Sequence, residues 1–194
     1  MSAPNAAPTD VILRVLQNAQ RPVYRTALVK LIYLVDYVYA QHAGRTLTGF
    51  DYIWDSHGPN AFGNEIVKQA DLLESLDERI EIERGVTPSG GPKFLYRVRP
   101  GVEQVRLSDE LGELVIHDVV MTYGHLNWAL IAKAAKATKP ILQAQPGDHL
   151  DLTPDSAKQQ RFARVQASLG ERQRDTGGPG VSLLELKSRY GLSG

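Results

Sequence analysis

Residues 24–42 read YRTALVKLIYLVDYVYAQH, with apolar side chains on nearly every side of a helix. A helix of this kind has to be buried on most sides, so we predict that it is the central helix of the domain. Lys30 and Asp36 interrupt the apolar run, which is too short and too charged to span a membrane. Gly44 is the expected end of the helix.

A shorter helix is predicted ahead of the central one. Residues 1–9 are rich in Ala and Pro and are expected to be disordered. Thr9 or Asp10 is the expected N-cap, and Arg21-Pro22 ends the helix. Its apolar residues follow a helical spacing: Val11, Ile12, Val15 and Leu16.

The segment after Gly44 is less regular. Residues 47–56 mix aromatic residues with turn formers, which is typical of an ordered loop or a short strand. His57-Gly58-Pro59-Asn60 predicts a turn, and Pro59 suits the first position of a helix over residues 60–76.

A β-hairpin and two further helices are expected next. Residues 80–83 and 94–98 alternate between apolar and polar side chains, with Gly90-Gly91 in the turn between them. Ser108 is the expected cap of a helix that ends near Tyr123. Another helix is predicted from about residue 127 to about residue 137, and Pro140 marks a break or a restart.

The C-terminal region differs in character from the domain at 10–153. Residues 154–175 predict an amphipathic helical extension, and residues 176–194 a flexible Gly-rich linker with a short apolar segment. That segment either docks a partner by folding on it or packs on its own domain, and the sequence leaves both open. The residues concerned are Val181, Leu184 and Tyr190.

These elements predict a mainly α (α+β) fold. A compact helical domain would carry one β-hairpin, and a helical tail would follow it. Three helices followed by a hairpin is also the element order of a winged helix, which would make the protein a DNA-binding regulator with residues 60–76 as its recognition helix.

Charge argues against nucleic acid as the main ligand. The chain has 22 basic and 22 acidic residues. Residues 56–79 carry five acids against two bases, a net charge of −3 that a DNA backbone would repel. The predicted hairpin is more basic, with Lys93, Arg97 and Arg99.

Nothing in the sequence predicts an enzyme. Without cysteine, disulfides, thiolate metal sites and cysteine nucleophiles are excluded. The five histidines form no HExxH pattern, and the GxSxG and phosphate-loop motifs are absent. We therefore expect no cofactor and no metal. The first residues lack the pattern of a secretory signal, so a cytoplasmic protein is expected.

Four short motifs resemble the signature of the Panacea (SocA-like antitoxin) family. They are Lys30-Leu31-Ile32-Tyr33-Leu34-Val35-Asp36, Gly44-Arg45 with Leu47-Thr48-Gly49, Tyr52, and His57-Gly58-Pro59. The family has a KLxYLxD-type helix, a G-[RK]-x-[LI]-T segment and an [HY]-G-P turn that leads into a helix. The resemblance continues more weakly through Leu107-Ser108, Tyr123-Gly124 and Thr138-Lys139-Pro140, and it covers about residues 22–152.

The resemblance implies an antitoxin that neutralises a partner toxin by direct protein–protein binding, without catalysis. The toxin would be encoded next to it, and delivery to a protease, as an adaptor, is the other route that the family suggests. Self-association into a homo-oligomer stays open. The resemblance implies a structural or partner-binding role for eight residues: Lys30, Tyr33, Asp36, Gly44, Trp54, His57, Gly58 and Pro59.

Overall fold

A computed structural model describes residues 7–55, 58–62 and 77–153. The chain divides into two units, Met1–Thr153 and Pro154–Gly194, and the described residues all belong to the first. The predicted helical extension and the apolar tail, with Val181, Leu184 and Tyr190, lie outside them.

Five helices and five strands make up the described part of the chain. The helices are α1 (Pro8–Ala19), α2 (Arg25–Ala43), α3 (Glu110–Tyr123), α4 (Trp128–Lys136) and α5 (Lys139–Gln143). The strands are β1 (Val23–Tyr24), β2 (Asp51–Asp55), β3 (Gly58–Phe62), β4 (Ile80–Val86) and β5 (Pro92–Val98). The predicted fold class is confirmed: the protein is mainly helical, with an antiparallel sheet.

Helix α2 is the central helix, as its apolar run predicts. It packs against α1, α3 and α4 and also contacts β3 and β5. Residues Leu31 to Asp36 are all buried. Six consecutive residues go once round a helix, so α2 is covered on every side at this point. Gly44 ends the helix with φ of 70°, in the left-handed region that glycine adopts most easily.

Helix α1 begins earlier than predicted. Ala7 is its N-cap without a side-chain hydrogen bond, and Pro8 occupies the first turn. Proline suits that position because its φ is preset and it has no N–H to leave unpaired. The predicted caps were therefore wrong, and Asp10 instead accepts a 2.8 Å hydrogen bond from Arg79.

The starts of the three later helices follow from their local sequence, but the N-cap of α3 differs from the prediction. Asp109, not Ser108, caps α3, and its carboxylate accepts the amide hydrogen of Gly112 at 2.8 Å. Asn127 caps α4 in the same way. Pro140 lies in the first turn of α5, so it marks a restart of the helix.

The predicted hairpin is formed by β4 and β5, with Gly90 in its turn at φ of 84°. Strand β1 lies on the other side of β5, which gives the sheet the order β1-β5-β4, all antiparallel. Ile80, Ile82 and Tyr96 are buried and join the core around α2.

A second sheet replaces the start of a predicted helix. β2 and β3 pair antiparallel, with Trp54 opposite Pro59 and Ile53 opposite Asn60. Residues 58–62 are therefore a strand, and the prediction of a helix starting at Asn60 was wrong; residues 63–76 lie outside the described part. Proline is tolerated in β3 because the strand lies at the edge of a two-stranded sheet.

Strand β2 has partners on both sides. Besides β3, the segment around Asp148 bonds to it: the Trp54 amide donates to the Asp148 carbonyl at 2.9 Å, and the Leu150 amide to the Tyr52 carbonyl at 2.8 Å. This second partner stabilises an extended conformation for residues 51–55. The segment that the sequence predicted as an ordered loop or a short strand therefore contains a strand.

Within residues 7–55, 58–62 and 77–153, none of the helices combines the length and the apolar character needed to cross a membrane.

Candidate functional site

The Asp36 carboxylate is the centre of the signature residues. It is fully buried on α2 and accepts four hydrogen bonds. The backbone amides of Leu47 and Thr48 donate to Oδ1 at 2.8 and 2.9 Å. Tyr52 donates its phenolic hydrogen to Oδ2 at 2.6 Å, and the Thr48 hydroxyl donates to the same atom. The carboxylate thus fixes the segment after α2 to the middle of the helix.

The sequence after α2 explains how this segment reaches Asp36. Gly44 turns the chain back in the left-handed conformation, so residues 47 and 48 pass alongside the helix they have just left. The Thr48 hydroxyl also accepts the Phe50 amide hydrogen at 3.0 Å, which holds the following residues in place. The G-R-x-L-T part of the signature is therefore a loop built around one carboxylate.

Tyr33 connects the cluster to Thr138, which follows the end of α4. Its ring packs edge-on against Tyr52, with centroids 5.2 Å apart and planes at 78°. Its hydroxyl lies 2.6 Å from the Thr138 hydroxyl, which itself donates to the Ala135 carbonyl at 2.7 Å, so Tyr33 is the donor to Thr138. The Thr138-Lys139-Pro140 motif is thereby bonded to α2. We call Asp36, Thr48, Tyr52, Tyr33 and Thr138 the Asp36 cluster.

Burial controls the proton equilibria of the Asp36 cluster. It raises the pKa of Asp36 above 3.8, although the hydrogen bonds from Thr48, Tyr52 and Leu47 act in the opposite direction. Burial, and then the nearby Asp36, raise the pKa of Tyr52 well above 10.0. Burial likewise raises the pKa of Tyr33 to about 12, so both phenols keep their protons at neutral pH. Because Asp36 has no exposed surface and its acceptor sites are occupied, the cluster is suited to holding the fold and not to reacting with a substrate.

The remaining signature residues divide between the core and the second sheet. Lys30 is buried on α2 and interacts with another part of the chain. Trp54 is half-buried in β2, and Gly58 and Pro59 lie in β3. His57 lies outside the described residues. The hydrogen-bond donors to Asp36 are two backbone amides and two hydroxyl groups.

A second polar cluster joins α1 to α3, and the sequence did not predict it. Arg14 on α1 bonds to Glu113 on α3, with Nε and Nη2 each 2.8 Å from Oε2. Glu113 also accepts the Leu107 amide hydrogen at 2.7 Å. Nη1 of Arg14 is buried without a hydrogen-bond partner in the described part of the chain. The two partners are 99 positions apart, and no sequence pattern joins them.

Asp109 has a further role besides capping α3. Tyr39 donates to its carboxylate at 2.5 Å, and Arg45 approaches the same group at 3.9 Å. Burial, and then the bond to Asp109, raise the pKa of Tyr39 to about 12. Neither of these two partners of Asp109 was predicted from the sequence.

The described residues contain no candidate metal centre. No three His, Asp or Glu side chains there are grouped so that they could hold a metal ion. An open cavity of about 430 Å³ lies beside the end of α1, and Arg21 and Arg97 contribute to its walls. Arg21 donates to the Gly124 and Leu126 carbonyls, and Arg97 pairs with Glu81 at 2.8 Å, so both cations already have partners.

The surface carries an apolar feature at the start of α4. Trp128 is 56% exposed and Leu130 46%. Ile131, Ala132 and Ala135 hold α4 in the core. The two residues are therefore presented on a fixed helix.

No protein-family model matches this chain, and neither a curated protein nor a solved structure is similar to it. The likeness to the Panacea family therefore depends on the quoted motifs alone, and the family assignment stays a prediction.

Proposed function

We propose that this protein neutralises a partner toxin by binding it directly, as a stoichiometric antitoxin without catalysis. The observation that carries the proposal is the state of Asp36, the one acid of the signature helix. All its hydrogen-bonding capacity is used by Leu47, Thr48 and Tyr52 of the same chain. The signature residues then stabilise the scaffold, and the outer surface is left to bind the partner. This division of roles suits a binding domain.

The first experiment expresses the adjacent gene alone and together with this protein. We expect growth arrest by the neighbour alone and growth when both are present. A harmless neighbour, or arrest that persists, would contradict the proposal. The variant Val86→Ala, at an exposed position of β4, is the matched control and should rescue like the wild type.

Stoichiometry separates binding from catalysis. With purified proteins, toxin activity should fall linearly with added antitoxin and reach its minimum at a fixed molar ratio. A substoichiometric amount that abolishes activity over time would point to an enzyme. Toxin abundance in the co-expressing cells decides between blocking and protease delivery, since only delivery removes the toxin.

DNA binding is the second candidate, and the order of the sheet favours it. A short strand between the first two helices that pairs with the second strand of the hairpin is the arrangement of a winged helix. The charges of the hairpin oppose it, because Arg97 pairs with Glu81 and Lys93 lies 5.4 Å from the ring of Tyr24. Retention of duplex DNA at low salt that is lost at high salt would support this candidate; no retention at low salt would exclude it.

A further inference from the structure

We propose that the exposed end of α4 is the surface that docks the toxin, and that the toxin presents an acidic, partly apolar segment to it. The α4 patch consists of Trp128, Ala129, Leu130, Lys133 and Lys136, all exposed. This inference rests on the proposed function and specifies which surface performs it.

The large apolar residues of the patch, Trp128 and Leu130, are of the kind that anchors a protein interface. Trp128 and Leu130 lie in the first turn of α4, where no other part of the domain covers them fully. Tryptophan is enriched among the few residues that carry most of the binding energy in protein complexes. Because Asn127 caps the helix and Ile131 and Ala135 anchor it, little ordering of the helix is needed on binding.

The basic half of the patch defines the charge of the partner. The chain has no Asp or Glu between Val119 and Gly147. Lys133 and Lys136 form no salt bridge within the part of the chain that the structure describes. Lys139 is left out of the patch because it already has an interaction. Two exposed ammonium groups without a salt bridge, on the same helix as an exposed tryptophan, fit a partner that presents carboxylates and an apolar pocket.

Other occupants fit the patch less well. A symmetric contact between two copies of this chain would place the same patch on both sides, so the lysines of one copy would face those of the other. Two lysines supply few phosphate contacts for a nucleic acid, and the chain as a whole has no excess of positive charge.

The probe is the purified product of the adjacent gene, and the readouts are its Kd and the growth rescue. Trp128→Ala should weaken binding at least about 30-fold and Leu130→Ala about 5-fold. The double variant Lys133→Gln/Lys136→Gln should weaken binding at low salt and match the wild type at high salt. Val86→Ala and Arg106→Gln, which alter exposed residues elsewhere, are the controls and should stay within about twofold.

A charge swap at Ala129 separates docking from folding. Ala129→Glu places an acid in the first turn of α4, where the helix dipole favours it, so the protein should keep its stability. It should nevertheless bind the acidic partner at least about 10-fold more weakly, whereas Ala129→Lys should bind as well as the wild type or better.

Binding and growth rescue by the wild type distinguish the proposed function from the assignment of the α4 patch. If the wild type neither binds nor rescues, the proposed function fails, and this inference fails with it. If the wild type binds while Trp128→Ala and Ala129→Glu bind equally well, only the assignment of the α4 patch is overturned. A Trp128-dependent retention of duplex DNA, or a Trp128-dependent dimer, would also overturn it.

Discussion

Tyr52 donates a 2.6 Å hydrogen bond from strand β2 to the carboxylate of Asp36, which is buried in the middle of α2. The bond is one of the contacts that position the second sheet on the central helix, together with the packing of Tyr33 on Tyr52. The same carboxylate oxygen accepts the Thr48 hydroxyl, so one atom orients both the loop after α2 and the strand that follows. Loss of this atom would affect two elements at once.

Removing the Tyr52 hydroxyl should destabilise the protein more than removing the Tyr33 hydroxyl. Tyr52→Phe takes a donor from a buried acid, at a cost of about 1.5–3 kcal/mol. Tyr33→Phe should cost about 0.5–1.5 kcal/mol, since Thr138 keeps its bond to the Ala135 carbonyl. Urea unfolding of the wild type and both variants measures the difference. Equal losses, or a larger loss for Tyr33→Phe, would contradict the central place given to Asp36.

The stability difference between the wild type and Asp36→Asn should shrink as pH rises. Because burial raises the pKa of Asp36 above 3.8, the folded protein holds this proton more tightly than the unfolded chain. The resulting stabilisation is fully present below the unfolded pKa and is lost as pH rises through the folded pKa. Asparagine does not titrate, so the advantage of the wild type should fall as the pH rises above 3.8 and through the raised pKa of the folded state. Urea unfolding at a series of pH values checks this, and a difference that widens with pH would reverse the assigned direction of the shift.

What could be predicted from the sequence was mainly local. The apolar spacing of residues 24–42 predicts α2 within one residue, and the alternation at 80–83 and 94–98 predicts the β4–β5 hairpin. These patterns are repeated along a single element, so they do not depend on distant contacts. The helix start near residue 127 and the break or restart at Pro140 are local in the same sense.

The failures depended on tertiary contacts. Pro59 suits a helix start, yet it lies in a strand because β2 is held on one side by β3 and on the other by the segment at Asp148. The backbone amides that bind Asp36 carry no signal in the sequence. Thr48 and Tyr52, close together after the helix, were the one available hint of its side-chain donors.

Glu113→Ala should be among the most damaging single substitutions outside the Asp36 cluster. It leaves the Arg14 guanidinium buried without its carboxylate and frees the Leu107 amide, a loss of about 3–5 kcal/mol. The double variant Arg14→Leu/Glu113→Leu should be more stable than Glu113→Ala, because no buried charge is left unpaired. Urea unfolding of the variants tests this, with Arg14→Leu completing the cycle. A loss below about 1 kcal/mol for Glu113→Ala would mean that water compensates Arg14.

Gly124→Ala should be more harmful than Gly101→Ala, although only Gly101 has a positive φ, of 81°. A Cβ at Gly124 would lie 2.5 Å from the Val120 carbonyl oxygen and 2.8 Å from Val120 Cγ1, so backbone has to shift, at a cost of about 1–3 kcal/mol. At Gly101 nothing lies within 4 Å, and only the conformational cost of about 1 kcal/mol applies. Thermal unfolding of both variants decides the order, and the reverse order would show that the close approach at Gly124 relaxes freely.

Temperature should separate the structural role of Asp36 from the docking role proposed for the α4 patch. Asp36→Asn disturbs a buried cluster, so it lowers the folded fraction without changing the outer surface. Its ability to rescue growth should fail in warm cultures and return in cooler ones, where folding is more favourable. Ala129→Glu leaves the fold intact and should fail at every temperature. Growth rescue across a temperature series, together with the amount of soluble protein, gives both readouts. An Asp36→Asn protein that is folded in the cold and still does not bind the toxin would place the Asp36 cluster in partner recognition itself, and the division between scaffold and docking surface would be wrong.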